Sequence, residues 1–274
     1  MICRTLGRSR GWLYYRRRRP RAPRPARRPE LEALIATLLQ GLPATYGVRR
    51  VHALLLRQGI PCNRKTVYAI LRRKSWLSCT RQRTARAGRL HEGRVAVPTP
   101  NRRWASDITG LTTWDGQKRR LAIILDCADR SVVAWRLAPR ITAEDLSEVV
   151  REAIFARFGD TRTQAQGIEF LSDNGPEYLA QSFRRDLEAW GLVPCRTPCR
   201  SPESNGVAEA FFGSLKRDYV YQSCLETVAD LERQLPGWIA NYNQVAPHSA
   251  LGMRSPAQFY AEWMAKTKLP LAQN

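Results

Sequence analysis

The sequence predicts an α/β core preceded by a small all-α domain. From residue 104 onward, apolar and amphipathic stretches follow the order strand, strand, strand, helix, strand, helix, strand, helix. Residues 30–74 instead carry three helical patterns. The charge changes near the same boundary: residues 1–103 contain 26 Lys and Arg against three acids, whereas residues 104–274 contain 19 bases and 21 acids. The net charge of +21 therefore resides in the first third and indicates nucleic acid as the partner.

Residues 1–29 are predicted to form a basic arm rich in Arg and Pro. Arg16–Arg19 is followed by four prolines within ten residues, which exclude a regular helix. We expect this arm to grip phosphates or to act as a tether. A solvated, disordered arm is the alternative, and a membrane-surface role is disfavoured because the prolines leave no amphipathic helix.

Residues 30–74 are predicted to form a helix-turn-helix DNA-binding domain. Its helices are expected over residues 30–40, over residues 48–58 with Gly59 after the end, and after Asn63 as an N-cap. The predicted DNA contacts are basic side chains of the second and third helices: Arg49, Arg50, Arg64, Lys65, Arg72 and Arg73. A plain three-helix bundle with a solvated basic face is the alternative.

The remaining domain boundaries follow from composition and periodicity. Residues 75–103 are predicted to be a basic linker, residues 104–222 the α/β core and residues 223–274 a C-terminal helical extension. The predicted core strands span residues 104–111, 119–126, 131–137, 168–172 and 192–196. The predicted core helices span residues 142–157, with Thr142 as the cap, 180–190 and 202–219.

Three carboxylates stand out in this pattern. Asp107 lies inside the first strand, Asp173 at the end of the fourth, and Glu209 about two turns into the last core helix. If the first and fourth strands are neighbours, a helix across that sheet edge brings all three together. Carboxylates in contact repel each other unless cations bind between them. We therefore predict a site for two ions of Mg²⁺ (or Mn²⁺), which act about 3.5–4 Å apart in phosphoryl transfer.

The spacing of this trio is weak support by itself, because acids occupy about one position in eleven of the chain. The surrounding residues strengthen the hypothesis. Lys216 follows Glu209 by seven positions, on the same helical face, where it can hold a DNA phosphate. Asn174 and Gly175 predict a tight turn that leaves the Asp173 carboxylate accessible at the strand end.

The motifs around these residues resemble a known family. They read Trp104-x-x-Asp-Ile-Thr, Ser172-Asp-Asn-Gly-Pro-Glu-Tyr, Ser201-Pro-Glu-Ser-Asn-Gly-x-Ala-Glu with Lys216, and Tyr242-Asn followed by Pro-His, Leu-Gly and Ser-Pro. Over about residues 3–263 the chain resembles the OrfB part of transposases of the bacterial insertion-sequence family numbered three, in the DDE transposase and retroviral integrase superfamily. Its phrasing is most similar to the subgroup numbered two. The family commonly has an arginine where this chain has Ala246.

The resemblance implies an RNase H-like, retroviral integrase-type catalytic core behind an all-α helix-turn-helix domain. It implies that Asp107, Asp173 and Glu209 form the catalytic, metal-binding triad and that Lys216 contacts DNA. The implied activity is metal-dependent cleavage and strand transfer at element ends, by at least a dimer on double-stranded DNA, in the bacterial cytoplasm at the nucleoid. Because the family makes this segment as a fusion, an upstream-frame transposase protein is a candidate partner, and this chain would be the downstream product.

Two other functions remain open from the sequence. A DNA-binding regulator or competitor derived from the same element would need the basic third of the chain but no catalysis. A nuclease acting on RNA–DNA hybrids would share the core but not the helix-turn-helix domain. The intact trio with Lys216 favours the transposase over the regulator, and the helix-turn-helix pattern favours it over the nuclease.

Other candidate sites have simpler explanations. The odd count of seven cysteines indicates a reduced, cytosolic protein, and zinc at Cys195-x-x-x-Cys199 is disfavoured because no second pair lies nearby. No apolar run is long enough for a membrane span. Asp126 and Asp129 are expected to cap turns, Glu177 to be solvated, and His248 to pack a C-terminal loop. The tryptophans at positions 104, 135, 190, 238 and 263 are expected in the core.

Overall fold

A computed structural model describes residue 11 and residues 29–78, 97–159, 165–196 and 206–268. The chain divides into two compact units, residues 1–42 and residues 43–274. Most of the basic arm, most of the predicted linker and the predicted start of the last core helix lie outside the described residues. Helix α1, Pro29–Gln40, belongs to the first unit, buries Leu31 and Ile35, and confirms the predicted helix.

Two packed helices open the second unit. Helix α2 spans Val48–Arg57 and helix α3 spans Arg64–Arg73. The predicted cap is confirmed, because the side chain of Asn63 accepts a hydrogen bond from the Lys65 amide at 2.8 Å. Gly59 has a φ of +73°, a left-handed conformation that permits the chain to turn between the helices. The apolar faces are buried at Val51, Leu54, Leu55, Val67, Ile70 and Leu71.

A five-stranded mixed sheet forms the centre of the second unit. Its strands are β1 (Arg103–Thr112), β2 (Lys118–Asp126), β3 (Val132–Ala138), β4 (Glu169–Ser172) and β5 (Val193–Arg196). The spatial order is β3-β2-β1-β4-β5. The first three strands are antiparallel, whereas β4 runs parallel to both β1 and β5. Each strand agrees with its prediction to within one residue at either end, and β1 and β4 are neighbours as predicted.

Four α-helices lie between the end of β3 and Asp218 among the described residues. They are α4 (Ala143–Phe158), α5 (Pro176–Leu179), α6 (Gln181–Ala189) and α7 (Gly206–Asp218). The predicted cap of α4 is confirmed, because Thr142 and Asp145 form a reciprocal capping box. The short helix α5 was not predicted, because four residues carry too little periodicity to be distinguished from a turn.

The alternation of β2 divides the apolar residues between two cores. Ala122 and Ile124 face a core that contains side chains of α4 and α6. Leu121, Ile123 and Leu125 face the opposite core, which contains side chains of α7. Because successive strand residues point to opposite faces, one continuous apolar run can fill both cores. Helices therefore cover both faces of the sheet.

Two longer helices occupy the region predicted as a C-terminal extension. Helix α8 spans Val228–Gln244 and helix α9 spans Pro256–Lys268. Apolar residues of α8, among them Leu231 and Leu235, belong to the second core, so this segment packs on the sheet. The Asn243 side chain also pairs with the backbone of Val132 through two bonds of 2.9 Å. No helix among the described residues has both the length and the apolar character that a membrane span requires.

Candidate active site

Asp107 lies in the middle of β1, on the face covered by α7. It is paired with Ile123 across the antiparallel ladder, and Ile123 faces the second core. The side chain of Asp107 is half-buried, and its Oδ1 accepts a hydrogen bond from the Ile108 amide at 2.8 Å. The strand therefore fixes this carboxylate at the boundary between the core and solvent.

Asp173 is the first residue after β4. The parallel register pairs Leu171 with Ala105, so two residues further along both strands Asp173 comes alongside Asp107. The Asp173 side chain is exposed, and its Oδ1 accepts a hydrogen bond from the Gly175 amide at 2.9 Å. The predicted tight turn is thus present, and its hydrogen bond fixes the direction of the carboxylate.

Glu209 lies in the first turn of α7 with an exposed side chain. The helix is oriented by its apolar face, which buries Ala208, Phe211 and Leu215 in the second core. One polar contact adds to this packing, because the Lys216 ammonium donates a hydrogen bond to Thr109 Oγ1 on β1 at 2.9 Å. Helix α7 is therefore held against the strand that carries the first carboxylate.

Asp173 and Glu209 both lie close enough to Asp107 for their charges to affect its pKa. Burial raises the pKa of Asp107 to about 6, opposed by the hydrogen bond from the Ile108 amide. The negative charges of Asp173 and Glu209 raise this pKa as well, whereas Arg120 lowers it. Within the described residues, no three His, Cys, Asp or Glu side chains stand close enough to hold a metal ion as placed. Asp173 and Glu209 therefore lie within electrostatic range of Asp107, but the three carboxylates are not grouped closely enough to act together as ligands of one ion.

A buried hydrogen bond on the opposite face of β1 joins the chain segments that carry Asp107 and Asp173. Ser106, the neighbour of Asp107, has its Oγ 2.8 Å from the phenol oxygen of Tyr178, and both side chains are buried. Ser106 Oγ also donates to the Ile123 carbonyl at 2.9 Å. Tyr178 lies in α5, five residues after Asp173. The sequence did not assign this pair a role, although Tyr178 belongs to the motif that surrounds Asp173.

The predicted DNA contacts fall into two groups. Six of the predicted DNA-contact residues lie on α2 and α3. Five of these six have exposed side chains: Arg49, Arg64, Lys65, Arg72 and Arg73. Arg50 differs, because it forms an ion pair at 2.7 Å with Asp218, which is 4% exposed. Its guanidinium also lies over the ring of buried Tyr46, 4.7 Å from the centroid. Arg50 therefore points into the protein rather than outward.

Two of the simpler expectations for the acids are met, and a third is not. Asp126 accepts hydrogen bonds from the Ala128 and Asp129 amides, and Asp129 accepts one from the Ser131 amide, which confirms their turn-capping roles. Glu177 was expected to be solvated but is half-buried. Its Oε2 lies beside Gly175, 3.2 Å from where a Cβ on that glycine would stand.

His248 and four of the five tryptophans meet their expectations, whereas Trp263 is half-buried and belongs to neither of the two described cores. The His248 ring packs edge-on against Tyr242 with centroids 4.6 Å apart, and burial lowers its pKa to about 4. Trp104 and Trp238 are buried, and Trp135 and Trp190 pack on the two cores. Trp263 stacks on Tyr260 at 5.9 Å. The second cysteine of the disfavoured zinc pair lies outside the described residues.

Three models of protein families match the chain. Two are described as integrase core domains and match residues 97–202 and 191–256. The third is described as an HTH-like domain and matches residues 26–84. The first two together cover β1 to β5, α7 and α8, and therefore all three carboxylates.

Curated relatives extend the similarity. An uncharacterized protein of insertion element IS136 from Agrobacterium fabrum is 45% identical over 176 residues, which cover 64% of this chain and 90% of that protein. The transposase InsD of insertion element IS2 from Escherichia coli is 38% identical over 221 residues, which cover 78% of this chain and 73% of that protein.

A solved structure agrees with the fold. The simian T-cell lymphotropic virus intasome in complex with a PP2A regulatory subunit contains a chain that matches with a TM-score of 0.50 at 18% identity. The match covers 89% of this chain and 76% of that one. The predicted fold is thereby confirmed: the core is RNase H-like and of the integrase type, and an HTH-like helical region precedes it.

Proposed function

The chain belongs to the insertion-element transposases with an integrase core domain, and from this premise we propose that it cleaves and joins DNA at the ends of its element. The observation that supports the proposal is the position of Asp173 and Glu209 near Asp107 on β1, close enough for both charges to raise the pKa of Asp107. We further assign the chain to the family numbered three, subgroup two. The similarity to the IS2 transposase supports this assignment.

The donor set at this site suits hard divalent cations. All three side chains offer carboxylate oxygens, the ligands preferred by Mg²⁺ and Mn²⁺, and their mutual repulsion is relieved when cations are bound. We infer that Asp107, Asp173 and Glu209 hold two such ions. Bound there, the ions supply Lewis-acid stabilisation of the phosphoryl oxygens and activation of the attacking water or 3′-hydroxyl.

The protein's own residues would hold the substrate in line with this site. The exposed basic residues of α2 and α3 are proposed to bind DNA of the terminal repeats, with the basic residues of the first third adding phosphate contacts. Lys216 is proposed to hold a phosphate of the element end or target DNA beside Glu209 while Thr109 orients its ammonium group. The reaction is a direct phosphoryl transfer without a covalent enzyme intermediate.

The assembly and setting follow from the same proposal. Joining two element ends requires that both be held together, most simply by a dimer of this chain on DNA. We propose that it works at the bacterial nucleoid, in the cytoplasm, and that an upstream-frame protein of the same element is a candidate partner.

The test compares isosteric variants of the three carboxylates with a control variant outside the candidate active site. Asp107→Asn, Asp173→Asn and Glu209→Gln are each expected to abolish Mg²⁺-dependent cleavage and strand transfer on duplex DNA that flanks the gene, while DNA binding is kept. Glu188→Gln, an exposed carboxylate on α6, serves as the matched control and should leave the rate unchanged. Activity retained in any of the three variants would refute the site. Equal cleavage of RNA–DNA hybrids would favour the nuclease function.

A further inference from the structure

Asp218, at the end of α7, is a buried carboxylate that the proposed chemistry does not use. It is 4% exposed and accepts hydrogen bonds from three side chains. Thr45 Oγ1 donates at 2.6 Å, Arg50 Nη1 at 2.7 Å, and Arg217 through Nε and Nη2 at 2.7 and 2.8 Å. Burial alone would raise the pKa of Asp218, but these donors outweigh it and the pKa is lowered. The carboxylate is therefore charged, and together with its donors Thr45, Arg50 and Arg217 it forms a hydrogen-bonded junction.

Two of its donors come from the DNA-binding region. Thr45 precedes α2, and Arg50 lies in its first turn with its guanidinium sandwiched between Asp218 and the Tyr46 ring. A buried carboxylate with several charge-assisted hydrogen bonds is costly to separate from its partners. The start of α2 is thus fixed to the end of α7, the helix that carries Glu209.

A second anchor fixes the other end of α2. Arg57, the last residue of that helix, donates to the Val245 carbonyl at 2.7 Å and also to the Met253 carbonyl. Both carbonyls belong to the loop between α8 and α9. Arg50 and Arg57 are seven residues apart, hence on one face of α2 and about 10 Å apart along its axis. Two anchors on one face fix the direction of a helix as well as its position.

Helix α3 shares this constraint. It packs on α2 through Val67, Ile70 and Leu71, and it turns Arg64, Lys65, Arg72 and Arg73 outward. The exposed basic side chains of α3 are consequently held at a defined distance and angle from α7. The connection from α2 to α7 through Asp218 consists of direct side-chain hydrogen bonds.

We propose that Asp218 is a positioning residue that sets the register between the DNA sequence bound by α2 and α3 and the phosphodiester delivered to the active site. This inference rests on the proposed function. Loosening the junction would leave both the DNA-binding surface and the carboxylates intact, so the expected defect is imprecise cleavage. Substitution of an ordinary DNA contact would instead change the affinity for DNA, and substitution of a catalytic group would change the reaction rate.

Adjacent arginines provide a matched pair of variants. Arg49 is exposed, whereas Arg50 is bound to Asp218. Arg49→Gln should weaken binding to terminal-repeat DNA, lower its salt slope by about 1, and keep the single cleavage position. Arg50→Gln should keep the salt slope but spread cleavage over neighbouring phosphodiesters, as mapped at nucleotide resolution on end-labelled duplex DNA.

Asp218→Asn should reproduce the spread seen with Arg50→Gln, and strand transfer from pre-cut ends should persist in both. If Asp218→Asn does not fold, Thr45→Val combined with Arg57→Gln decides, because Asp218 then keeps both arginines. A single wild-type cleavage position in Arg50→Gln and in the combined variant would overturn the inference. Wild-type protein that shows no Mg²⁺-dependent cleavage would instead overturn the proposed function, so the two failures are distinguishable.

Discussion

A methyl group at Gly175 is expected to impair catalysis without disturbing the fold. Gly175 has a φ of −59° and a ψ of 147°, which alanine adopts without strain. The added Cβ, however, would lie 3.0 Å from Oδ1 of Asp173 and 3.2 Å from Oε2 of Glu177. Both contacts are shorter than the 3.4 Å at which ordinary van der Waals contact begins. The Asp173 carboxylate must therefore move by about 0.4 Å, since it is the closer neighbour.

The size of the effect follows from that displacement. A misplacement of 1 Å in a reacting group can cost about 100-fold in rate. If the logarithm of the rate scales with displacement, a shift of about 0.4 Å costs about sixfold. We therefore expect Gly175→Ala to lower kcat by about five- to tenfold, with little change in the affinity for DNA.

The assay is Mg²⁺-dependent strand transfer on duplex element ends, with urea unfolding measured on the same preparations. Gly213→Ala is the matched control, because a Cβ on this exposed glycine of α7 meets nothing within 4 Å. It should keep wild-type activity and gain about 0.5–1 kcal/mol in stability as a helical Gly→Ala change. A wild-type rate for Gly175→Ala would refute the argument that this turn directs Asp173.

Three further predictions concern stability. Tyr178→Phe removes the buried hydrogen bond to Ser106. It should lower the free energy of unfolding in urea by about 1 kcal/mol and reduce the strand-transfer rate. If the effects of Tyr178→Phe and Ser106→Ala on this free energy were additive, the coupling of the two residues would be contradicted. Thr142→Ala removes the capping box of α4 and should cost about 1 kcal/mol in urea with activity retained; an unchanged midpoint would contradict it. Because burial lowers the pKa of His248 from 6.5 to about 4, the unfolded chain binds the extra proton first, so stability should fall by up to about 3 kcal/mol as pH decreases from 6.5 to 4. His248→Gln should flatten that part of the profile in urea unfolding at several pH values, and an unaltered profile would contradict the assignment.

The sequence predicted the strands and most helices well because periodicity is a local signal. The run Leu121–Leu125 identified β2, and Thr142 and Asn63 identified two helix starts through the hydrogen bonds that their side chains make. The trio of carboxylates could be predicted because each member follows or lies inside an element with a clear pattern. Predicting that they lie near one another required the additional inference that β1 and β4 are neighbours.

Contacts between distant residues could not be predicted in this way. Arg49 and Arg50 are adjacent and identical in type, yet one is exposed and the other is bound to Asp218, 168 residues away. Nothing in a helical pattern distinguishes a basic residue that faces DNA from one that faces a buried acid. The Ser106–Tyr178 bond joins residues 72 apart and was missed for the same reason.

Strand β1 carries Asp107 and forms hydrogen bonds with both α5 and α7, the helices next to the other two carboxylates. Successive residues of a strand point to opposite faces, so Ser106 faces α5 whereas Asp107 lies on the face covered by α7. On one face Ser106 binds Tyr178 and thereby fixes α5, directly after the turn that directs Asp173. On the other face Thr109 accepts a hydrogen bond from Lys216 and thereby helps to fix α7, which carries Glu209.

Each of the two flanking carboxylates is therefore tied to β1 by a hydrogen bond that does not involve the carboxylate itself. Their mutual repulsion acts against the packing of α5 and α7 on the strand, and both contacts oppose it. Such an arrangement would keep Asp173 and Glu209 near Asp107 without a bound cation, as the proposed metal site requires. The junction at Asp218 then links α2 and α3 to this candidate site through α7, which carries both Glu209 and Asp218.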